Sequence, residues 1–575
     1  MTRARHRERR PRDELDTPLA RLLWAERYAQ PGESDIAATR ARVAAALAAA
    51  EPRREAHWRT SFAAVQARFR FLPAGRILAH AGLPGERTLN NCFVMGALAD
   101  DATALDRALD EGLTTMQQGG GVGYDFSTLA PAADGRAGGG PLAQMARWDA
   151  ACAALDARAR RGAMMATLRC DHPDIAAFVE AKQGAGALAH FNISVQISDA
   201  FVRAVAADRD WPLVFPAGGT VYARVQARAL WARIAAAAHA GAEPGVLFVD
   251  RVNAENNLGD REVLGATNPC GEIPLPHYGA CVLGSVNLVR FVRAPFSRRA
   301  RFDFDAFAAT VGVAVRLLDD VVEVGHYPLA AQRAVAQATR RVGLGVTGLG
   351  DALVMLGLDY AGDGARAVAG DIARRLRDAA YAASVALARE KGPFPHFAAA
   401  ALLARPFVAR LPGDLREAIA SDGLRNSHLL AIAPAGSISL LAGNVSSGIE
   451  PPYAARYRRR LQRADGSTDE VTVEDYACRL WRTRKRGRPP AWTHAEALSP
   501  AAHLAMQAVF QPYVDNAISK TINLAASATV DDVATVFARA HELGLKGVTV
   551  YRAGGVRGAV LASGDDGRER CPPDA

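Results

Sequence analysis

Asn268-Pro269-Cys270-Gly271-Glu272 places an amide, a thiol and a carboxylate at every second residue of a segment that its proline and glycine keep from being helical. Side chains of an extended chain alternate in direction, so this spacing predicts all three groups pointing the same way. Pro269 donates no backbone hydrogen bond and Gly271 is permissive, which suits a loop tip better than the middle of a sheet. The segment reads as a presented thiol between a hydrogen-bonding amide and a base. The other reading of the same residues is a turn with a merely buried cysteine, and the rest of the chain has to choose between them.

A chain of 575 residues can bury a large core, as a few domains or as one large α/β barrel with attachments. No apolar run approaches the roughly 18 residues needed to span a bilayer, and the arginine-rich N-terminus is not followed by an apolar stretch. A cytoplasmic protein with no membrane partner is expected. The seven cysteines, at 92, 152, 170, 270, 281, 478 and 571, are few and irregularly spaced, which argues against a secreted disulfide scaffold. Of the net charge of +9, residues 1–12 carry +5 through six arginines and one glutamate. That arm reads as a disordered, solvated tail, and no direct nucleic-acid contact is expected of it. The basic runs Arg456 to Arg463 and Arg482 to Arg488 read as solvated faces that would also suit a phosphorylated substrate.

Residues 13–85 are rich in alanine and arginine with apolar positions at helical spacing (Leu19, Leu22, Leu23, then Val43, Leu47), which predicts a helical N-terminal region. Over 86–552, glycine-rich turns alternate with short β-branched and aromatic runs, such as Gly245-Val246-Leu247-Phe248-Val249 and Gly547-Val548-Thr549-Val550, with helical segments between them. Strands alternating with helices predict an α/β fold. Residues 553–575 are rich in glycine, charge and proline and read as a flexible tail.

Cys281 follows Cys270 by eleven residues, and Cys92 lies far upstream in Asn90-Asn91-Cys92-Phe93-Val94. Cys270, His277 and Cys281 offer three potential zinc ligands, but without the paired short spacings of a zinc site.

Several other stretches carry a resemblance. They include Gly119-Gly120-Gly121-Val122-Gly123-Tyr124-Asp125, Phe191-Asn192-Ile193-Ser194-Val195, Glu243-Pro244-Gly245-Val246 and Ile432-Ala433-Pro434-Ala435-Gly436-Ser437-Ile438-Ser439. Further on come Asn444-Val445-Ser446-Ser447-Gly448-Ile449-Glu450-Pro451 and Ile518-Ser519-Lys520-Thr521-Ile522-Asn523. In this order they resemble the catalytic subunit of ribonucleotide reductases, in particular the class II, adenosylcobalamin-dependent type. The resemblance implies a ten-stranded α/β barrel of two half-barrels, with the radical cysteine on a central finger loop. It implies reduction of ribonucleoside diphosphates to deoxyribonucleotides. Cys270 matches the cysteine whose thiyl radical takes the ribose 3′-hydrogen, Glu272 the base for the 3′-hydroxyl, and Asn268 the amide that holds the substrate hydroxyls. Cys92 and Cys281 match the dithiol that supplies two electrons and ends as a disulfide. Asn91 and the segment Pro434, Ala435, Gly436, Ser437, Ile438 and Ser439 match substrate-binding positions, the last six for the diphosphate. Ala435 and Ser437 stand where the family usually has threonines.

The place of the class I tyrosine pair reads Val550-Tyr551, with one tyrosine only, and no class III glycyl-radical segment is visible. Adenosylcobalamin is therefore the expected radical source, although no aspartate-x-histidine-x-x-glycine motif occurs. The tail ends Arg570-Cys571-Pro572-Pro573-Asp574-Ala575, one cysteine short of the pair that relays electrons from thioredoxin or a similar dithiol. Altered re-reduction is expected, with Cys571 left as a single shuttle thiol. By similarity, a loop at Ala157 to Gly162 carrying Arg158, Arg160 and Arg161 would relay deoxynucleotide effectors, and a homodimer is expected. The ATP-sensing module of many class I relatives has no counterpart in the short N-terminal region.

Overall fold

A computed structural model describes residues 14–136, 138–156, 162–184, 186–462, 468–555 and 561–563. Residues 1–12, the expected effector arginines Arg158, Arg160 and Arg161, and Cys571 lie outside the described residues.

The N-terminal region folds as three helices, α1 (Pro18–Arg27), α2 (Ile36–Ala48) and α3 (Glu55–Gln66). Thr17 and Asp35 cap the first two by accepting the amides of Ala20 and Ala38, and Pro18 sits in the first turn, where its missing N–H costs nothing. α2 and α3 pack on α4 (Phe304–Val324), and a buried ion pair between Glu51 and Arg316, 2.8 Å apart, joins the two regions.

The central feature is a ten-stranded sheet. Its strands are β1 (Phe71–Pro73), β2 (Cys92–Val94), β3 (Gly121–Asp125), β4 (Met164–Arg169), β5 (Phe191–Ile197), β6 (Gly245–Phe248), β7 (Ala280–Asn287), β8 (Val342–Thr347), β9 (Thr521–Leu524) and β10 (Gly547–Arg552). β2, β3, β4, β5 and β6 run parallel in sequence order. β7 pairs parallel with β8, and β9 with β10. These two sets meet antiparallel at two seams, β2 against β7 and β6 against β10. From β8 the hydrogen bonding continues through isolated parallel bridges, Leu344 with Leu430 and Ile432 with Ile518, to the residues that lead into β9. The edges of the sheet are thus linked by an irregular segment and not by regular strands. Parallel strands need long crossovers, and the intervening helices cover the apolar outer faces.

Between the two sets rises a hairpin, Ala266–Thr267 paired with Pro274–Leu275, whose tip carries the Asn268 to Glu272 segment. The sheet makes room for it by omitting side chains. A Cβ on Gly123 of β3 would lie 1.9 Å from the Thr267 carbonyl oxygen, and one on Gly121 would lie 3.2 Å from Pro269. Thr167 donates to the Gly265 carbonyl at 2.8 Å, Asn192 to the Pro269 carbonyl at 2.8 Å, and the Ala517 amide to the Glu272 carbonyl at 2.9 Å. The finger is therefore bonded to both strand sets. Gly123→Ala is expected to leave the circular dichroism spectrum intact while lowering turnover about 100-fold, because displacing a reacting group by about 1 Å has that scale of effect.

Candidate active site

The tip is not extended. Gly271 donates its amide to the Asn268 carbonyl at 3.0 Å and has a φ of 85°, closing a turn with Pro269 and Cys270 at its centre. The expectation that Asn268, Cys270 and Glu272 point one way is corrected accordingly. Pro269 presets a turn, and the turn sends Asn268 and Glu272 into the protein while Cys270 faces a cavity. Cys270 is accessible only in that sense: its surface opens on the cavity, while the protein packed around it pushes the thiol up by burial, then by the charge of Glu272.

Cys92 on β2 and Cys281 on β7 are direct cross-strand partners at one of the two seams. Opposed residues of an antiparallel pair have Cα atoms about 4.5–5.5 Å apart, within the span a disulfide bridges. Asn268 donates its side-chain amide to the Cys92 sulfur at 3.2 Å, and Cys92 Sγ lies 3.9 Å from Glu272 Oε1. Asn268 is itself fixed, its Oδ1 accepting from the Ile273 amide at 3.0 Å and from the Thr267 hydroxyl at 3.1 Å. Glu272 Oε2 is buried with no hydrogen-bond partner among the described residues, an acceptor left for something the protein does not supply.

Burial raises the Glu272 carboxyl to about 7 against the hydrogen bonds of Asn268 and Cys92, which pull the other way. Burial likewise holds Cys92 and Cys281 well above the usual thiol range, reinforced at Cys92 by the neighbouring Glu272 charge. Three thiols kept protonated are poor thiolate nucleophiles but retain a hydrogen to exchange. Among the described residues no cluster of three or more histidine, cysteine, aspartate or glutamate side chains is arranged to hold a metal ion. The zinc arrangement fails because Cys281 pairs with Cys92 while Cys270 turns to the cavity.

The cavity has a volume of about 610 Å³, within the range of small-molecule sites. Cys270 and Gly271 form one wall, and Asn192, Ser194 and Gly245 of β5 and β6 with Thr549 and Tyr551 of β10 form another. Pro434, Gly436 and Ser439 line it together with Ser446 and Ser447. Ala435, Ser437 and Ile438 do not, and the Ala435 amide is already given to Ser447 Oγ at 2.8 Å. The short helix Gly436–Leu441 begins there, so its first-turn amides have no partner within the helix. Asn91 does not line the cavity either; its carbonyl accepts from Gly121 at 2.8 Å, and its side-chain oxygen is buried with no hydrogen-bond partner among the described residues. Ser446, Ser447, Asn192 and Thr549 were missed as site residues. All but Thr549 sit in stretches that carry the resemblance, and that membership was the signal available, since only Ser447 adjoins a glycine.

Residues 14–86 match the family description "Ribonucleotide reductase, all-alpha domain", and residues 90–551 match "Ribonucleotide reductase, barrel domain". The chain is 38% identical to the "Vitamin B12-dependent ribonucleoside-diphosphate reductase" of Mycobacterium tuberculosis (strain CDC 1551 / Oshkosh), over 96% of this chain and 82% of that protein. It is 33% identical to the protein of the same name from Thermoplasma acidophilum, over 88% of this chain and 67% of that one. A "Vitamin B12-dependent ribonucleotide reductase" of Streptomyces avermitilis is 26% identical over 82% of this chain and 57% of its own length. With matches running almost unbroken from residue 14 to residue 551, on a sheet whose two parallel sets enclose a cysteine-tipped finger, the chain belongs to the ribonucleotide reductase family.

Proposed function

We propose that the chain is an adenosylcobalamin-dependent ribonucleoside-diphosphate reductase in which Cys270, Glu272, Asn268, Cys92 and Cys281 do the chemistry. The observation that carries the reading is the facing of Cys92 and Cys281 across a seam, with Glu272 and Asn268 of the finger in contact with Cys92.

At about 610 Å³ the cavity would enclose adenosylcobalamin only in part. A Cβ on Gly245 would lie 3.1 Å from both Ser194 Oγ and Thr549 Oγ1, so the glycine lets these two hydroxyls stand close together on the cavity wall, and among the described residues no histidine lines the cavity to compete for cobalt. Met165, Leu247, Thr549 and Tyr551 would hold the group by packing and hydrogen bonds. When bound, adenosylcobalamin supplies the unpaired electron by homolysis of its cobalt–carbon bond.

The chain's residues handle the ribose. Cys270, as a thiyl, takes the 3′-hydrogen and later returns one. Glu272 accepts the 3′-hydroxyl proton, a task for which a carboxyl at about 7 is suited. The 2′-hydroxyl leaves as water with a proton from the cysteine pair, and two electrons pass from Cys92 and Cys281 as their sulfurs join. The net reaction converts one ribonucleoside diphosphate and two thiols to one deoxynucleotide, one water and one disulfide. Gly436, at the free N-terminal turn of the short helix, and the Ser446 and Ser447 hydroxyls would receive the diphosphate. The reading includes a dithiol reductant such as thioredoxin acting through Cys571, deoxynucleotide effectors, a homodimer and a cytoplasmic setting. No helix among the described residues is long and apolar enough to cross a membrane.

The test is anaerobic CDP reduction with dithiothreitol, with and without adenosylcobalamin. Deoxycytidine diphosphate is expected only with the cofactor, and its absence in both arms would defeat the reading.

A further inference from the structure

The inward row of β5 runs alongside the finger. Phe191, Ile193, Val195 and Ile197 are buried in the outer apolar layer, and period two sends Asn192, Ser194 and Gln196 to the inside. Gln196 acts at the root, where its amide bonds Thr167 at 3.1 Å, and Thr167 in turn donates to Gly265 at 2.8 Å. Four residues earlier in the strand and four residues further up the finger, Asn192 Nδ2 donates to the Pro269 carbonyl at 2.8 Å. Asn192 otherwise faces the cavity.

The Pro269 carbonyl belongs to the peptide plane that joins Pro269 to Cys270. In the turn closed by the Gly271 to Asn268 bond, this is the central peptide. The two common turn types differ by a flip of that one plane, and the flipped form needs a positive φ at the third residue, here Cys270. Cys270 has no positive φ, so the plane stands in the unflipped orientation, with its oxygen on the Asn192 amide. A flip would swing this carbonyl away from its donor and change the direction in which the Cys270 side chain leaves the backbone.

We propose that Asn192 is a positioning residue for Cys270: by holding the Pro269 carbonyl it locks the central peptide of the finger-tip turn and so fixes where the Cys270 sulfur enters the cavity. It acts through the backbone. Because the cavity lets water reach the site, removing the amide does not strand a buried group, and the finger keeps its bonds to Thr167 and Ala517. The role deepens the reductase reading, and its test has an arm that does not depend on turnover.

Asn192→Ala and Asn192→Asp are compared with wild type in three measurements. These are kcat and KM for CDP reduction, melting temperature, and the rate of Cys270 alkylation by iodoacetamide in cofactor-free protein, followed by peptide mass spectrometry. The expected result is a kcat lowered about 10- to 100-fold with KM within twofold, as for a small misplacement of a reacting group. Cys270 alkylation should change at least threefold. Asn192→Asp should be at least as impaired as the alanine variant, since a carboxylate repels the carbonyl that the amide held. Unchanged alkylation overturns the proposal, and so does a raised KM with kcat intact, which would make Asn192 a substrate contact. Shifted alkylation in a protein that reduces no nucleotide even as wild type would support the lock and sink the reductase reading instead.

Discussion

Cys270→Ala is expected to abolish deoxynucleotide formation, a loss on the order of 10⁴-fold or more, because no other group can take over its step. Among the described residues, Cys270 is the cysteine that lines the cavity. Cys92 and Cys281 are buried behind it with sulfurs committed to Asn268, Glu272 and the Val282 carbonyl. The substitution removes one sulfur from a cavity wall, where nothing is left unpaired, so the melting temperature should move little. CDP affinity, measured by equilibrium dialysis without turnover, should stay within a few fold. Residual catalysis above a few per cent of wild type would show that another residue carries the radical. Loss of CDP binding together with activity would make Cys270 a binding residue.

Glu272→Gln tests the second component by its pH dependence. The carboxyl sits at about 7, raised from an ordinary value of 4.5 by burial. The base form is therefore lost as pH falls through about 7, and wild-type kcat should drop tenfold per unit below it. No alkaline limb from the three thiols is expected up to pH 9, since burial holds them protonated. Glu272→Gln should lower kcat by about 10²- to 10⁴-fold, the usual worth of a general base, and flatten this acid limb. The linkage to stability has the opposite sense from a salt-bridged carboxylate. Here the unfolded chain ionises first, so wild-type stability falls as pH rises from 4.5 to about 7 and is level above. Against Glu272→Gln the difference should accumulate over that interval to on the order of 3 kcal/mol, read from urea unfolding at pH 5 and pH 8. A variant with an unchanged acid limb would assign the ionisation to another group.

The sequence carried the chemistry further than the shape. Strands and crossovers were legible in runs such as Gly245 to Val249, because burial on both faces writes continuous apolar stretches. The link through Leu430 and Ile432 was not, since two isolated bridges leave no period to read. At the finger, Pro269 and Gly271 made the loop tip legible, but the alternation pointed Asn268, Cys270 and Glu272 one way where the turn separates them, and the clearances at Gly121 and Gly123 show the sheet shaped around it. Local spacing lost to tertiary contact. Within the phosphate segment Pro434, Gly436 and Ser439 line the cavity while Ala435, Ser437 and Ile438 do not, and Ser446 and Ser447 join them from a stretch further along the chain. A cavity assembled from several distant segments has no signature in any one of them.

The cysteine seam has a mechanical side. Cys92 and Cys281 belong to different parallel sets, so their union would rivet one half of the sheet to the other and close a loop spanning the residues between them. On chain-entropy grounds a cross-link of that span is worth about 5 kcal/mol against unfolding. Each completed turnover would then leave the protein tougher than it began, and the partner that reopens the bond would also be the one that unlocks the two halves.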